Sequence, residues 1–345
     1  MRLTILRGLP ASGKSSYAEE QLKSGNTVRV NRDDIRAMIH KGLQWSGARE
    51  RVTVSVEKAV VTEALKSGLN VIVDDTNMLG AGVRLWTDFV VGWNFLYSRD
   101  RDTVTVTVKD MNEHMQVPVP DLIRECIRRD ALRHGKSQVG AGVIYRMALE
   151  AGLIDLSVHD KVAVVDIDGT IADLKHRLDC LEQTPKDYLR FFDRVDMDSP
   201  IVTIIDAVYR LRYAGYTIVA LSGRPDSCGA KTWSWLRGTE YMTESMGPMS
   251  PIPDYLFMRR GGDHRPDDQV KRQLMEKMFA AGLRKDAIKV IIDDRDSVCA
   301  VWRELDLPLI QVLDGAAIQI QPSALEMCRS LRIPINGGTC GVVKT

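Results

Sequence analysis

The feature that most constrains the fold stands at the start of the chain, where a short apolar run leads into a glycine-rich loop. The loop reads Gly8-Leu9-Pro10-Ala11-Ser12-Gly13-Lys14-Ser15, and residues 16–22 follow with helical spacing. In the pattern G-x-x-x-x-G-K-[ST], backbone N–H groups surround phosphates, the lysine reaches the outer phosphates and the serine hydroxyl binds Mg²⁺. The motif requires a strand before it and a helix after it. It therefore predicts a parallel α/β sheet that binds ATP or another NTP through Gly8, Ser12, Gly13, Lys14 and Ser15.

The rest of the first half continues the alternation of apolar strands and helical patterns that is typical of α/β folds. The fourth predicted strand alternates Thr and Val strictly, which favours an edge strand or one with a polar face. The predicted strands are Leu3–Arg7, Thr27–Asn31, Asn70–Asp74 and Thr103–Lys109, and the predicted helices are Arg49–Lys66 and Pro120–Arg133.

A second α/β series begins near residue 161, so the 345 residues predict two domains. Its predicted strands are Lys161–Asp166, Thr217–Leu221, Lys289–Ile292 and Pro308–Val312. We place the boundary near 155–160, with domains at 1–155 and 160–320. Residues 321–345 form a C-terminal extension of unknown role.

Composition narrows the possible environment and partners. The chain is 44% hydrophobic and 27% charged with a formal net charge of +1, so bulk charge does not predict nucleic-acid binding. Its six cysteines include no C-x-x-C pair, which favours a reducing compartment over a disulfide framework or structural zinc. No apolar run approaches the roughly 20 residues that span a bilayer. We expect a cytoplasmic protein without membrane contact.

The second predicted strand ends in Asn31-Arg32-Asp33-Asp34-Ile35-Arg36. Because ligands of open α/β sheets bind outside the carboxyl ends of strands, Asp33 is positioned to take a proton from an acceptor hydroxyl. Arg36, one helical turn later, could hold an acceptor phosphate. The alternative is that Asp33 and Asp34 only cap a helix.

Two further segments complete the first predicted site. The third strand finishes in Asp74, which could belong to a metal shell or position a substrate, and Asp75 could bind substrate or cap a helix. Arg129 and Arg133 are four residues apart on a predicted helix, so they would share a face and form an arginine lid over the donor phosphates. The alternative is a solvated basic face.

The second site begins with Asp166-Ile167-Asp168-Gly169-Thr170, directly after an apolar strand. This D-x-D-G-T pattern resembles the haloacid-dehalogenase (HAD) phosphatases. The resemblance implies that Asp166 is the nucleophile, and that Asp168 protonates the leaving alkoxide and then activates water. Both carboxylates are predicted metal ligands, since Mg²⁺ would neutralise the incoming phosphate.

Three later elements fit the same site. Ser222, Gly223 and Arg224 end a strand, where the hydroxyl and an adjacent N–H could hold phosphate. Lys271 lies on a helical pattern and could supply a cation. Asp293 and Asp294 end another strand with carboxylates suited to hard Mg²⁺, although alone they could start a turn.

Together, in this order, the motifs resemble the bacteriophage polynucleotide kinase/3′-phosphatase family over roughly residues 1–315. The resemblance implies a P-loop kinase domain with a parallel sheet, followed by a HAD-like Rossmannoid phosphatase. It marks Asp33 as general base, Arg36 as acceptor-phosphate clamp and Arg133 as lid arginine, and it places a functional arginine at Arg177. It further implies DNA or RNA ends as substrates, cooperation with a separate ligase, and a homo-oligomer.

The leading hypothesis is an end-healing enzyme, which phosphorylates a 5′-hydroxyl with ATP and removes a 3′-phosphate. Two other functions compete with it. A kinase and phosphatase for small molecules, such as nucleosides or sugars, would use the same chemistry. A nucleotide-sensing scaffold would have lost a catalytic group, yet Lys14 and Asp166 are both present. The segment Asp179–Pro200, with Tyr188, Phe191 and Phe192, is predicted to cap Asp166, and its aromatics could either stack on terminal bases or form a small core.

Overall fold

The computed structural model describes residues 1–41, 46–97, 103–133, 135–238, 241–243, 247–249, 252–313 and 317–330. The chain forms two compact units, Met1–Arg129 and Asp130–Thr345. Each unit is described by itself below.

The first unit is built on a parallel sheet. Its strands are β1 (Arg2–Arg7), β2 (Thr27–Val30), β3 (Asn70–Val73) and β4 (Thr105–Asp110). They lie in the order β2-β3-β1-β4, and every neighbouring pair is parallel. Leu3, Ile5, Val71 and Val73 are fully buried in a core shared with Trp86. All four predicted strands are confirmed, and β4 lies at the edge with most of its residues exposed or half-buried.

The helices of this unit pack around the sheet. They are α1 (Lys14–Leu22), α2 (Arg32–His40), α3 (Gly47–Lys66), α4 (Gly80–Tyr97), α5 (Met111–His114) and α6 (Val119–Asp130). Helix α1 starts after Gly13, which has a left-handed φ of 96°. Helix α2 starts after Asn31, whose side chain accepts hydrogen bonds from the backbone N–H groups of Asp33 and Asp34. Both helices begin at the carboxyl ends of strands, where ligands bind in such folds.

The predicted end of the last helix at Arg133 is wrong, because α6 ends at Asp130. The backbone N–H of Arg133 donates to the Asp130 carbonyl at 3.0 Å. The Asp130 carboxylate accepts from the backbone N–H groups of Val139 and Gly140 at 3.1 and 2.7 Å. These bonds turn the chain, so Arg129 and Arg133 do not share a helical face.

The second unit has a larger central sheet and two small two-stranded pairings. Its strands are β5 (Val162–Val165), β6 (Ala172–Asp173), β7 (Ser199–Pro200), β8 (Thr217–Pro225), β9 (Tyr241–Thr243), β10 (Gly247–Met249), β11 (Tyr255–Arg259), β12 (Ile288–Asp293), β13 (Leu309–Leu313) and β14 (Ala317–Ile320). The central order is β11-β8-β5-β12-β13-β14, parallel except for the antiparallel β13–β14 pair. The two small pairings are β6 with β7 and β9 with β10. The four predicted strands are confirmed as β5, β8, β12 and β13, and the predictions omitted β11 and β14.

Helices cover this sheet. They are α7 (Ala141–Glu150), α8 (Asp179–Glu182), α9 (Tyr188–Asp193), α10 (Val202–Tyr213), α11 (Gly229–Gly238), α12 (Asp267–Ala280), α13 (Asp296–Glu304) and α14 (Pro322–Ser330). Helix α7 belongs to this unit: a Cβ on Gly142 would lie 2.4 Å from the Met258 sulfur, and the Tyr145 hydroxyl donates to the Asp254 carbonyl. The packing thus divides the chain earlier than the boundary predicted near 155–160. Helix α14 lies in the predicted extension, and residues 331–345 are outside the described residues.

Among the described helices, none combines the length and the apolar character needed to cross a bilayer.

Candidate active sites

The glycine loop of the first unit encloses its own lysine. The Lys14 ammonium donates to the carbonyls of Gly8 and Leu9 at 2.9 and 2.8 Å, and the lysine is almost fully buried. Ser12 is also buried, and its hydroxyl has no hydrogen-bond partner among the described residues. A buried cation beside an unsatisfied hydroxyl, at the start of α1, suits an anionic ligand such as a phosphate.

A carboxylate and an arginine flank this loop. Asp74 follows β3, is buried, and accepts a hydrogen bond from Arg29 at 2.8 Å. Burial raises the pKa of Asp74, whereas Arg29, the Ser15 hydroxyl and Lys14 act to lower it. On the other side, a Cβ built on Gly13 would lie 4.0 Å from Arg129 Nη1, so Arg129 lies against the loop.

A charged cluster lies on α2, where the sequence predicts the acceptor side of this site. Asp33 is exposed, with 86% of its side chain accessible, and pairs with Arg36 Nη1 at 2.5 Å. Arg36 also donates to both carboxylate oxygens of Glu50, at 2.9 and 2.6 Å. The hydrogen bonds that Arg36 donates to Glu50 raise the pKa of Arg36, although burial opposes them, and the charges of Glu50 and Asp33 add to the effect. Glu50, on α3, was not among the predicted site residues.

Behind this cluster, Asp75 anchors the start of α2. Its Oδ1 accepts the backbone N–H of Arg32 at 3.0 Å, and its Oδ2 lies 3.2 Å from Arg32 Nε. Arg32 Nε also donates to Glu57 at 2.7 Å. Glu57 is fully buried, and this burial, with the charge of Asp75 second, raises its pKa to about 8. The contact with the Arg32 N–H is of the helix-capping kind, and the predicted substrate-binding role of Asp75 stays a prediction.

Arg133, the predicted lid arginine, lies in the second compact unit just after α6. Its Nη1 donates to the Ser137 carbonyl at 3.3 Å and lies 3.9 Å from Asp130. Its role over the donor phosphates stays a prediction.

In the second unit, the carboxyl ends of β5 and β12 bring acidic groups together. Asp166, Asp293 and Asp294 each place one carboxylate oxygen within 4.8 Å of the others. Lys271, on α12, lies 2.8 Å from both Asp166 and Asp293 and is fully buried. Burial raises the pKa of Asp166 well above its usual range; Lys271 opposes this, while Asp293 and Asp294 reinforce it. A hard divalent cation such as Mg²⁺ fits this excess of buried carboxylates.

Asp168 faces two arginines. Its Oδ1 accepts hydrogen bonds from Arg177 at 2.7 Å and from Arg224 at 2.8 and 2.5 Å. Burial disfavours the charge of Asp168, but Arg224 and Arg177 outweigh it and hold its pKa below the usual value. The candidate metal group among the described residues does not include the Asp168 carboxylate, although sequence reasoning predicted this residue as a ligand.

A second buried carboxylate holds the two arginines. Asp198 accepts hydrogen bonds from Arg177 at 2.7 and 2.8 Å, from Arg224, and from His176 at 2.8 Å. Sequence reasoning missed Asp198, which lies beside β7. No motif marks it, because its partners are 21 and 26 residues away.

Two predicted loops need glycine for steric reasons. A Cβ on Gly169, which has a left-handed φ of 80°, would lie 2.1 Å from Asp294 Oδ2. A Cβ on Gly223 would lie 2.4 Å from Asp267 Oδ1, a carboxylate that Arg259 and Arg295 both contact. Next to it, the buried Ser222 hydroxyl accepts the backbone N–H of Arg224 at 3.2 Å. The Gly169 loop therefore closely approaches a carboxylate of the acidic site, and the Gly223 loop closely approaches a carboxylate held by two arginines.

The predicted cap segment contacts this site through Phe191. The Phe191 ring is buried and lies under the Arg177 guanidinium, 4.2 Å from its centroid. Tyr188 is about half exposed and stacks on Phe192, with centroids 6.4 Å apart and an interplanar angle of 19°. Phe191 is thus a core residue, as one of the two alternatives predicted.

Comparisons with known proteins place one family match in each half of the chain. Residues 160–316 match the model of the polynucleotide kinase PNKP phosphatase domain, and residues 3–143 match the model of an AAA domain. A protein of Autographa californica nuclear polyhedrosis virus, described as a bifunctional polynucleotide kinase/RNA ligase, is 26% identical over 330 residues. The match covers 90% of this chain but only 42% of that relative.

Two solved structures are also similar. The chain is 25% identical to one from a Pnkp1/Rnl/Hen1 complex and 24% identical to one from the Pnkp1/Rnl/Hen1 RNA repair complex. Each match covers 90% of this chain and 96% of the other, with TM-scores of 0.35 and 0.36. The family matches confirm the predicted order of domains. The chain therefore has an N-terminal P-loop kinase domain, followed by a HAD-type phosphatase domain that matches the polynucleotide kinase phosphatase model.

Proposed function

We propose that this protein heals nucleic-acid ends: it transfers the γ-phosphate of ATP to a 5′-hydroxyl and hydrolyses a 3′-phosphate. The observation that carries the proposal is the presence of two phosphate sites of opposite chemistry in one chain. One is a P-loop whose neighbouring strand end presents Asp33. The other is Asp166, held by Lys271 beside two further carboxylates.

In the kinase reaction, Asp33 accepts the proton of the 5′-hydroxyl as the oxygen attacks the γ-phosphate. Its exposure supports this role, because an acceptor end has to reach it. Arg36 binds the acceptor phosphate, and Glu50 holds its guanidinium in place. Lys14 and Arg129 bind the donor phosphates, and Arg133 acts on the charge of the transferring group.

In the phosphatase reaction, Asp166 attacks the 3′-phosphate, forming an aspartyl-phosphate while the sugar oxygen leaves. Asp168 gives that oxygen a proton and then takes one from the water that hydrolyses the intermediate. Ser222 and the Gly223 backbone bind the phosphate oxygens. Arg177 and Arg224 hold Asp168 in place, and Lys271 offsets the charge that gathers at Asp166.

Both reactions call for Mg²⁺, whose chemistry is to neutralise phosphate charge. In the phosphatase, Asp166, Asp293 and Asp294 would hold it. In the kinase, the Ser15 hydroxyl would hold it beside the P-loop. ATP is the proposed donor.

The proposed partners follow from the substrates. A 5′-phosphate and a free 3′-hydroxyl are the ends that a ligase joins, and the name of the viral relative pairs a polynucleotide kinase with an RNA ligase. We therefore propose that a ligase consumes the product. Homo-oligomerisation stays a prediction.

The test is a competition between acceptors. Purified full-length protein receives γ-labelled ATP with matched 5′-hydroxyl DNA and RNA oligonucleotides, each in the presence of excess free nucleoside. End-healing predicts labelled oligonucleotide of at least one type. Preferential labelling of the nucleoside would instead support the small-molecule kinase reading.

A further inference from the structure

Three polar side chains meet beneath the first turn of α2, and their hydrogen bonds are incomplete. Arg32 Nε lies 2.7 Å from Glu57 Oε2 and 3.2 Å from Asp75 Oδ2. Glu57 Oε1, Asp75 Oδ2 and Arg32 Nη2 are buried atoms without a hydrogen-bond partner among the described residues. Unsatisfied buried polar atoms are rare in folded proteins, so this group needs an explanation.

The balance of charge in this group explains its unsatisfied atoms. If both carboxyl groups were ionised, Arg32 would balance only one of them, and a net negative charge would stay buried with Glu57, whose side chain is 0% exposed. Burial of an uncompensated charge is costly, and the usual outcome is that one carboxyl keeps its proton. Glu57 and Asp75 are neighbours, since each has a carboxylate oxygen near Arg32 Nε, at 2.7 and 3.2 Å. A proton shared between them would also satisfy the two orphaned oxygens.

We propose that Glu57 is a neutral carboxyl group that donates a hydrogen bond to Asp75, and that it thereby acts as a positioning residue for the kinase acceptor site. The inference rests on the proposed kinase function. It adds a residue that touches neither ATP nor the acceptor and acts through its neighbours.

Few contacts separate Glu57 from the groups that would react. Asp75 accepts the backbone N–H of Arg32, the first residue of α2, so the Glu57–Asp75 pair fixes where that helix begins. Asp33 is the next residue, and Arg36 follows one turn later on the same helix. A misplaced general base reduces turnover steeply, by about 100-fold for a shift near 1 Å.

The experiment compares three variants of the full chain. Glu57→Gln keeps a hydrogen-bond donor that cannot ionise, Glu57→Ala removes the donor, and Glu63→Ala controls for a truncation on the exposed face of α3. Affinity for ATP is measured in each variant, because the P-loop reports whether the first unit is folded without involving the acceptor side.

The proposal predicts that Glu57→Ala lowers kinase kcat by about 100-fold. ATP affinity should stay near that of the wild type, and KM for the acceptor should change much less than kcat. Glu57→Gln should restore kcat to within about threefold, and Glu63→Ala should have no effect.

Three outcomes would overturn it. Wild-type kcat in a folded Glu57→Ala variant would show that the pair positions nothing. Failure of Glu57→Gln to restore turnover, with ATP affinity intact, would show that Glu57 acts as an ionised carboxylate. Loss of ATP affinity in both Glu57 variants would make Glu57 a structural residue of the whole unit. An inactive wild-type kinase would instead refute the proposed function and is seen before any variant is compared.

Discussion

The two sites differ most in the solvent exposure of their carboxylates. In the kinase unit, Asp33 is 86% exposed and has one arginine beside it. In the phosphatase unit, Asp166 and Asp293 are 5% and 2% exposed and share one lysine. An exposed aspartate is surrounded by solvent, so an incoming chain end can reach it. A buried cluster cannot carry its charges without a cation, which suits a nucleophile that works beside a metal.

The difference suggests where each site is vulnerable. The phosphatase depends on groups locked by a buried network that joins Asp168, Arg177, Arg224 and Asp198. In the proposed mechanism, the kinase depends on the placement of one exposed helix turn, so we expect the residues that fix α2 to matter as much as the residues on it that act in the reaction.

Loss of the buried nucleophile should have the largest effect. We expect Asp166→Asn to lower 3′-phosphate release by on the order of 10⁴-fold or more, because an amide cannot form the acyl-phosphate. Phosphorylation of 5′ ends should continue at the wild-type rate. Rates of phosphate release and label transfer are measured on the same preparation.

The matched control is Asp160→Asn, which removes an equally charged but exposed side chain that pairs with Arg284. It should leave both activities unchanged. If Asp166→Asn still hydrolysed the 3′-phosphate, the covalent mechanism would be wrong.

Loss of the exposed base should have the next largest effect. Asp33→Asn should lower kinase turnover by about 10³-fold, since the amide cannot take the proton of the acceptor hydroxyl. Its neighbour Asp34 is also exposed and also lies in the first turn of α2, so Asp34→Asn is the control for helix capping. If the two variants lost turnover equally and by only a few-fold, Asp33 would be a capping residue.

Arg133 should have a smaller effect, confined to turnover. Arg133→Ala is expected to lower kinase kcat by roughly 10²-fold, because a lid arginine acts on charge in the transition state. Affinity for the oligonucleotide, measured by titration without ATP, should change little. A defect in oligonucleotide affinity alone would move Arg133 to the acceptor side.

The smallest expected effect is a pH dependence of the kinase. Burial, with Asp75, raises the pKa of Glu57 to about 8, and the charged groups facing it are Arg32 and Asp75. A carboxyl with a raised pKa is protonated below that value, so any contribution of the proton is lost as pH rises through about 8. Kinase turnover should fall to roughly one tenth at pH 9 in the wild type, and not in Glu57→Gln. Equal profiles for the two would contradict the neutral form of Glu57.

Local motifs were enough to predict several strands and the candidate site residues that follow them. The P-loop from Gly8 to Ser15 and the Asp166–Thr170 run are read within a few residues, and each follows a predicted strand that the structure confirms. Their spacing carries the mechanism, so no knowledge of the tertiary structure was needed. The same holds for Asp293 and Asp294, which close an apolar strand.

The residues that sequence reasoning missed are those whose partners lie far along the chain. Glu50 meets Arg36 across 14 residues, Glu57 meets Arg32 across 25, and Asp198 meets Arg177 across 21. For Glu50 and Glu57, helix packing brings the partners together, and a lone acidic residue in a helical pattern looks like a solvated one. The end of α6 was missed for a related reason, because Asp130 is engaged by amides nine and ten residues later.

We propose that one chain carries two independent phosphate-transfer sites acting on opposite ends of a polynucleotide. The most direct measurement uses one oligonucleotide with a 5′-hydroxyl and a 3′-phosphate, incubated with γ-labelled ATP and Mg²⁺. With the wild type, we expect label at the 5′ end and loss of the 3′-phosphate. Lys14→Ala should abolish only the labelling, and Asp166→Asn only the 3′ release. Loss of both activities in either variant, or neither activity in the wild type, would contradict it.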